Sequence, residues 1–262
     1  MTNQTIQDIT EAVLDASSIM LEAEHITEAT HSKSGHANFV TEYDTRVQKE
    51  LFDRLGKILP EASFMGEEES SWSYSDKGYQ FIIDPIDGTT NFIKKNHTSC
   101  ISVGLLKDGE PLLGMVYNPY RDELFYAKKG EGAYLNQKPI RVSAEPLENS
   151  ILIFGTSPYY ENLWKPAFDT AWHYFQKTLD LRRSGSAAID LCDIACGRAE
   201  LFFELKLSPW DYAAGSLLVT EAGGHICGAN LNAPQFARPQ GIVAYGSGIT
   251  KDDLTFFTTL NL

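Results

Sequence analysis

Apolar positions recur along this chain with two periods, one helical and one strand-like. Ile6, Ile9, Val13, Ala16 and Met20 share one face of a 3.6-residue repeat and predict an amphipathic helix over residues 5–25. Residues 27–38 are polar, include Gly35, and predict an exposed, mobile loop. A second helix starts at Thr41, carries Val47, Leu51, Leu55 and Ile58 on one stripe, and is stopped by Pro60. From Gln80 the texture changes. Phe81-Ile82-Ile83 is an all-apolar strand ending at Asp84, and residues 100–106 and 112–117 are strands flanking the turn Lys107-Asp108-Gly109-Glu110. Residues 123–127 and the segment around Arg141 extend this β-rich middle, and 151–154 form a further strand. Trp164, Phe168, Trp172 and Phe175 predict a helix, and 186–197 another. A strand around Leu201-Phe202-Phe203 leads to a helix over 211–221, ended by Gly223-Gly224. Residues 241–245 read as a strand, and a last helix follows Thr250, with Asp252 and Asp253 in its first turn.

Helices and strands alternate irregularly, which points to stacked helix and sheet layers rather than a regular βαβ array. At 262 residues the chain is long enough for one large unit, with the stretch from Ala144 to Asn149 as a boundary between lobes 1–145 and 146–262. Four cysteines make no disulfide scaffold and none sits in a paired zinc pattern. The first residues lack a basic segment leading into an apolar run, and no stretch approaches about 18 consecutive apolar residues. A cytoplasmic location is the expectation. The net charge of −13 argues against a nucleic-acid or anionic-membrane surface. It also means that an anionic substrate would need a local attraction that the protein's overall field does not supply.

Chemistry concentrates in Asp84-Pro85-Ile86-Asp87-Gly88-Thr89-Thr90-Asn91-Phe92. The strand delivers Asp84 at its carboxyl end, where α/β folds build sites. Pro85 keeps Asp84 out of the helical region, and Gly88 permits the turn that brings Asp87 beside it. Two carboxylates this close repel unless a proton or a cation intervenes, so a divalent metal is one resolution. The residues that follow offer hydroxyls and amides at a helix start, where free N–H groups favour an anion. A polar turn with Asp as a helix cap is the plain alternative. Two further acidic groups stand beside strand or helix ends: Gly66-Glu67-Glu68-Glu69, otherwise a solvated charge run, and Trp210-Asp211-Tyr212, where Asp211 otherwise sits as an N-cap.

Taken together, these segments resemble the inositol monophosphatase family of lithium-sensitive, magnesium-dependent phosphatases. Asp84 to Phe92 matches its first signature. The run from Trp210 to Gly215, followed by Thr220-Glu221-Ala222-Gly223-Gly224, matches its second. Phe39-Val40-Thr41-Glu42-Tyr43-Asp44 and Arg182-Arg183-Ser184-Gly185-Ser186-Ala187-Ala188 also fit, and the likeness spans residues 5–260. The resemblance implies an α+β fold, a layered αβαβα sandwich, working as one compact catalytic unit. It implies two Mg²⁺ ions, or three, with Glu67, Asp84, the Ile86 carbonyl, Asp87 and Asp211 as ligands. Gly88 and Thr89 would bind phosphate, and Thr89, polarised by Asp44, would help Glu67 activate a water. Gly185, Ser186, Ala187 and Glu204 would face the alcohol part of the substrate, and Asp87 and Asp211 would bind substrate as well as metal. Lys33 and Glu68 would stand near the metal site, and Arg182 and Arg183 near a second phosphate. Thr41-x-x-Asp44 is in addition a capping box.

The implied reaction is hydrolysis of a small phosphorylated polyol or sugar, inositol 1-phosphate first, by a homodimeric enzyme. Fructose 1,6-bisphosphatase, histidinol-phosphatase and NADP phosphatase activities stay open beside it. So do a covalent aspartyl-phosphate hydrolase and a non-catalytic, metal-bound protein-interaction role. Cys192 and Arg198 have the Cys-x5-Arg spacing of cysteine phosphatases but lack a glycine-rich cradle, and Leu191, Ile194 and Ala195 make Cys192 a core residue.

Overall fold

The computed structural model describes residues 1–34 and 38–260, with the side chains of 32–34 and 38 outside that description. Helix α1 (Asn3–Leu21) opens the chain, capped by the Thr2 hydroxyl. Strands β1 (Thr30–Ser34) and β2 (Asn38–Thr41) pair antiparallel. The stretch expected to be a loop is therefore largely a hairpin, because ladder hydrogen bonds satisfy a polar backbone as well as water does; residues 35–37 lie outside the described residues. Helix α2 (Glu42–Ile58) follows, with Thr41 and Asp44 forming the expected capping box.

A seven-stranded sheet comes next: β3 (Ser63–Gly66), β4 (Tyr79–Asp87), β5 (Cys100–Lys107), β6 (Glu110–Asn118), β7 (Glu123–Lys128), β8 (Gly132–Leu135) and β9 (Lys138–Ile140). They lie in chain order, with only β3 and β4 parallel. The short helix α3 (Thr89–Ile93) hangs between β4 and β5, and Arg141 stands just past the sheet rather than in it. The second sheet contains β10 (Ile151–Phe154), β11 (Asp180–Arg182), β12 (Leu201–Leu207), β13 (His225–Gly228) and β14 (Gln240–Tyr245), in the order β11-β10-β12-β14-β13. Helices α4 (Glu161–Phe175), α5 (Ala187–Ala195) and α6 (Pro209–Glu221) complete the fold. The last helix, Asp252–Thr259, winds as a 3₁₀ helix rather than an α-helix.

Three apolar clusters define the layers. Ile9, Val13, Val47 and Leu51 of α1 and α2 pack on Phe81, Ile83 and Val103 of the large sheet. On its other face, α5 and α6 fill the space between the sheets, joining Ile82 and Val116 to Phe202 and Ala244. The outer face of the small sheet is covered by Leu163, Ala167 and Tyr174 of α4 and by Leu254 and Phe257. The order is helix, sheet, helix, sheet, helix, as the resemblance implied. Among the described residues no helix is long and apolar enough to cross a membrane.

Two glycines set how closely α6 approaches the large sheet. A Cβ on Gly104 would lie 2.9 Å from the Ala213 Cβ, and one on Gly114 only 2.5 Å from the Ala214 carbonyl oxygen. The partner at Gly114 is backbone, so a methyl group there must push the helix outward. Gly114→Ala is expected to cost about 1–3 kcal/mol of stability. Gly78→Ala, at φ +71 with nothing within 4 Å, is expected to cost no more than about 1–2 kcal/mol of local strain. Urea unfolding of both variants, together with the Mg²⁺ response of Gly114→Ala, separates helix displacement from simple glycine loss.

Candidate active site

The centre of the site depends on a break in register. Asp84 pairs with Ser102, but Asp87 pairs with Cys100, so Pro85 and Ile86 together face the single residue Ile101. Side chains three apart on a regular strand point to opposite faces. The extra residue of this bulge resets the alternation, and Pro85, which has no N–H to give the ladder, is suited to the break. Asp84 and Asp87 consequently project to the same side.

Asp211 arrives from the other direction. It is the third residue of α6 rather than its N-cap, which is Ser208, and its carboxylate accepts the Ser208 N–H at 2.6 Å. One carboxylate oxygen each from Asp84, Asp87 and Asp211 falls within 4.8 Å of the others. Glu67 follows β3, its N–H donating to the Ile83 carbonyl at 3.2 Å, and it lines the same cleft.

Electrostatics show what this costs. Burial, followed by the charges of Glu67, Asp87 and Asp211, pushes the Asp84 carboxyl well above the usual carboxylate range. Burial and then Asp87 and Glu67 do the same to Asp211. Asp87 is pushed up to about 6 by burial, against the bonds it accepts from Ser186 Oγ (2.5 Å) and Ala188 N–H (2.7 Å). Among the described residues, the bonds to Asp87 and Asp211 do not offset the burial and mutual repulsion of the three aspartates. A hard divalent cation fits a set of converging carboxylate oxygens, and Mg²⁺ or Mn²⁺ suits all-oxygen ligands.

Thr89 Oγ1 stands 3.4 Å from Asp44 Oδ1 and 3.3 Å from the Ile86 carbonyl. Asp44 is fully buried, and its other oxygen accepts both the N–H and the hydroxyl of Thr41, at 2.7 and 2.5 Å. Capping and contact with Thr89 therefore coexist. Gly88 precedes α3 at φ +85, where a Cβ would crowd the Thr98 and Gly185 carbonyls at 3.0 and 3.2 Å. Gly185, Ser186, Ala187 and Glu204 all line the cleft, whose volume is about 300 Å³. Glu204 is buried and accepts the Ser157 N–H at 2.7 Å. Burial pushes its carboxyl up to about 7, only partly offset by that bond and by Arg183.

The remaining expectations divide. Arg183 lines the cleft, whereas Arg182 turns to Asp180 at 2.5 Å and borders a neighbouring depression. Glu68 is not part of the cleft wall; its N–H donates to Gln48 Oε1 at 3.0 Å. Lys33 sits on β1, and its side chain lies outside the described residues. Sequence reasoning missed the wall formed by Gly155, Ser157, Pro158, Tyr159 and Tyr160, and with it Lys206 and Asp190. Gly155 was the available signal there: a Cβ on it would overlap Glu204 Oε2 at 2.0 Å, so only glycine lets that carboxylate reach the cleft. Arg183 and Lys206 give the cleft positive charge of its own in an acidic protein.

The profile of the inositol monophosphatase family matches residues 2–255. The chain belongs to the inositol monophosphatase family. It is 38% identical over 216 residues to an inositol-1-monophosphatase of Synechocystis sp., covering 82% of this chain and 75% of that one. To the Nus factor SuhB of Escherichia coli (strain K12) it is 40% identical over 195 residues, 74% of this chain and 73% of that one. Its fold superposes on the crystal structure of the extragenic suppressor protein suhB from Bartonella henselae with a TM-score of 0.88 at 30% identity, over 99% of this chain and 100% of that one. As a member of the inositol monophosphatase family, the protein is a phosphoric monoester hydrolase.

Glu204 offers a test of the cleft's electrostatics in which burial dominates and the acidic cluster enters after it, through Asp87. Its folded pKa of about 7 exceeds the ordinary 4.5, so the native state holds more protons between those values. Stability must then fall as pH rises from about 4.5 to about 7, with nothing further lost above that. Glu204→Gln removes this dependence. With chelator present, the variant is expected to gain on wild type by roughly 2–3 kcal/mol across that window. Equal slopes of unfolding free energy against pH for the two proteins would contradict the assignment.

Proposed function

We propose that the protein hydrolyses inositol 1-phosphate to inositol and phosphate with Mg²⁺ as cofactor, as the name of its Synechocystis relative suggests. The observation that carries the reading is the convergence of Asp84, Asp87 and Asp211 in one cleft with Glu67, Thr89 and Glu204. Asp84, Asp87, Asp211, Glu67 and the Ile86 carbonyl would hold two ions, with room for a third near Glu67. Bound there, such ions supply positive charge to the phosphoryl group and lower the pKa of a coordinated water.

The chain's own residues do the rest. Thr89 directs its hydroxyl proton to Asp44 and the Ile86 carbonyl, which leaves its oxygen lone pairs to accept a proton from the attacking water. The Gly88 and Thr89 backbone N–H groups receive the phosphate oxygens. Gly185, Ser186 and Ala187 shape the alcohol side, where Glu204, half protonated near pH 7, can donate to or accept from a ring hydroxyl. No covalent nucleophile is required, because positioning and charge neutralisation dominate phosphoryl transfer. The family resemblance adds lithium inhibition, a cytoplasmic location and a homodimer to this reading.

One observation supports a bisphosphate substrate as a second reading: Arg183 borders both the cleft and the neighbouring depression that Arg121, Arg182 and Arg198 also line. Phosphate release from inositol 1-phosphate, fructose 1,6-bisphosphate, histidinol phosphate and NADP, with and without Mg²⁺, separates the two. The first substrate is expected to lead the panel in kcat/KM and to depend on the ion. Asp84→Asn and Asp211→Asn are each expected to lower kcat/KM by roughly 10²-fold or more. A tenfold preference for another compound would transfer the assignment to it, and an active Asp84→Asn enzyme would remove the metal from the reaction.

A further inference from the structure

Strand β12 carries a second break in register. Glu204 pairs with Ile242 and Leu207 with Gln240, so Leu205 and Lys206 together face the single residue Gly241. On a regular strand the two leucines would share a face. Here Leu205 packs in the outer apolar cluster and Leu207 in the cluster between the sheets. A bulge re-aims a side chain, and the one re-aimed here is Lys206, which joins neither core. Gly241 makes the room: a Cβ on it would lie 2.7 Å from the Ala229 Cβ and 2.9 Å from the Leu205 carbonyl oxygen. Ser157 pins the bulge. Its Oγ accepts the Lys206 N–H at 3.1 Å and lies 3.4 Å from the Lys206 carbonyl.

The lysine so placed borders two cavities. Lys206 and Tyr160 line the active-site cleft and also an adjoining annex of about 550 Å³, which Asn162, Asn230, Arg238 and Gln240 help to enclose. Lys206 Nζ lies 4.0 Å from the centroid of the Tyr160 ring. Among the described residues, neither Lys206 nor Arg238 stands in an ion pair, and no carboxylate lines the annex. The chain has 35 Asp and Glu against 22 Lys and Arg. Two uncommitted cations around a cavity without carboxylates are therefore a local reversal of the protein's field. The depression lined by Arg182 and Arg198 differs, because those guanidiniums are already paired with Asp180, Glu123 and Asp193.

We propose that Lys206 and Arg238 recognise a second anionic group, and that the enzyme hydrolyses phosphomonoesters whose alcohol part carries such a group into the annex. The inference rests on the neighbouring cleft being the phosphatase site and extends its substrates beyond a neutral polyol. The reaction stays a hydrolysis. The oxygen of water bonds to the phosphorus in the cleft, the bond from phosphorus to the alcohol oxygen breaks, and the proton that water gives up ends on that oxygen. The group in the annex is held and left uncleaved. An ammonium and a guanidinium give it charge-assisted hydrogen bonds. The contacts with Tyr160 and Ser157 leave Lys206 little ordering entropy to lose.

Matched substrates test this: fructose 1,6-bisphosphate against fructose 1-phosphate, and adenosine 2′,5′-bisphosphate against adenosine 2′-monophosphate. The readout is the ratio of kcat/KM within each pair. Lys206→Gln and Arg238→Gln are each expected to lower that ratio roughly tenfold in at least one pair. Arg238 is exposed, so its substitution leaves the core intact and decides the matter if Lys206→Gln fails to fold. A ratio that Arg238→Gln leaves unchanged in both pairs overturns the inference. So does a ratio that falls with Arg182→Gln instead, which would move the second anion to the depression. Absence of all hydrolysis, inositol 1-phosphate included, is a failure of the cleft reading and not of this one. Dissociation constants of the same pairs from titration calorimetry then supply the ratio, and equal values for wild type and Arg238→Gln overturn the inference.

Discussion

Mutual repulsion among the buried Asp84 and Asp87 and the half-buried Asp211, each with a carboxylate oxygen within 4.8 Å of the others, is the constraint that organises this molecule. Like charges that close are tolerated only where the scaffold gives them no way to separate. Here two scaffolds meet. The bulge at Pro85 and Ile86 fixes the first two carboxylates on the large sheet. Helix α6 carries the third, and its height over that sheet is set by Gly104 and Gly114 against Ala213 and Ala214. The cluster stores electrostatic free energy that a cation can release, and this is the sense in which the fold prepares the site before any ion binds.

The rest of the cleft repeats that arrangement with milder means. Buried Asp44 ties the start of α2 to Thr89. Ser186, the N-cap of α5, also donates to Asp87, so one residue starts a helix and restrains a carboxylate. Gly155 leaves room for Glu204 to enter the cleft wall. Helix termini and strand ends therefore serve structure and site together, and the sandwich brings several such ends to a single cleft.

Much of this was legible in the residues because the acidic elements sit in short segments whose local geometry is strongly constrained. Asp-Pro-Ile-Asp-Gly contains its own bulge and its own turn, and Trp-Asp at a helix start limits where Asp211 can point. Other parts were not legible. The Gly155–Tyr160 wall has no periodicity; its Gly and Ser-Pro mark a turn without showing what that turn borders, and only the small sheet's position over the cleft makes it a wall. Strand β1 is polar throughout and β2 has only Phe39 and Val40 as apolar residues, so the pairing leaves little trace in the hydrophobic pattern. The helical period of Trp164, Phe168, Trp172 and Phe175 predicted α4 correctly but not its rotation: the smaller Leu163, Ala167 and Ala171 face the core and the large rings face outward. Spacing fixes that a stripe exists, and only packing decides which of two stripes is buried.

If the acidic cluster is a divalent-cation cage, anomalous diffraction from crystals grown with Mn²⁺ will place the ions in it. Strong peaks bonded to Asp84, Asp87 and Asp211, with Glu67 completing the coordination, are expected. An empty cluster at saturating Mn²⁺, or peaks found only at surface carboxylates elsewhere, would contradict it.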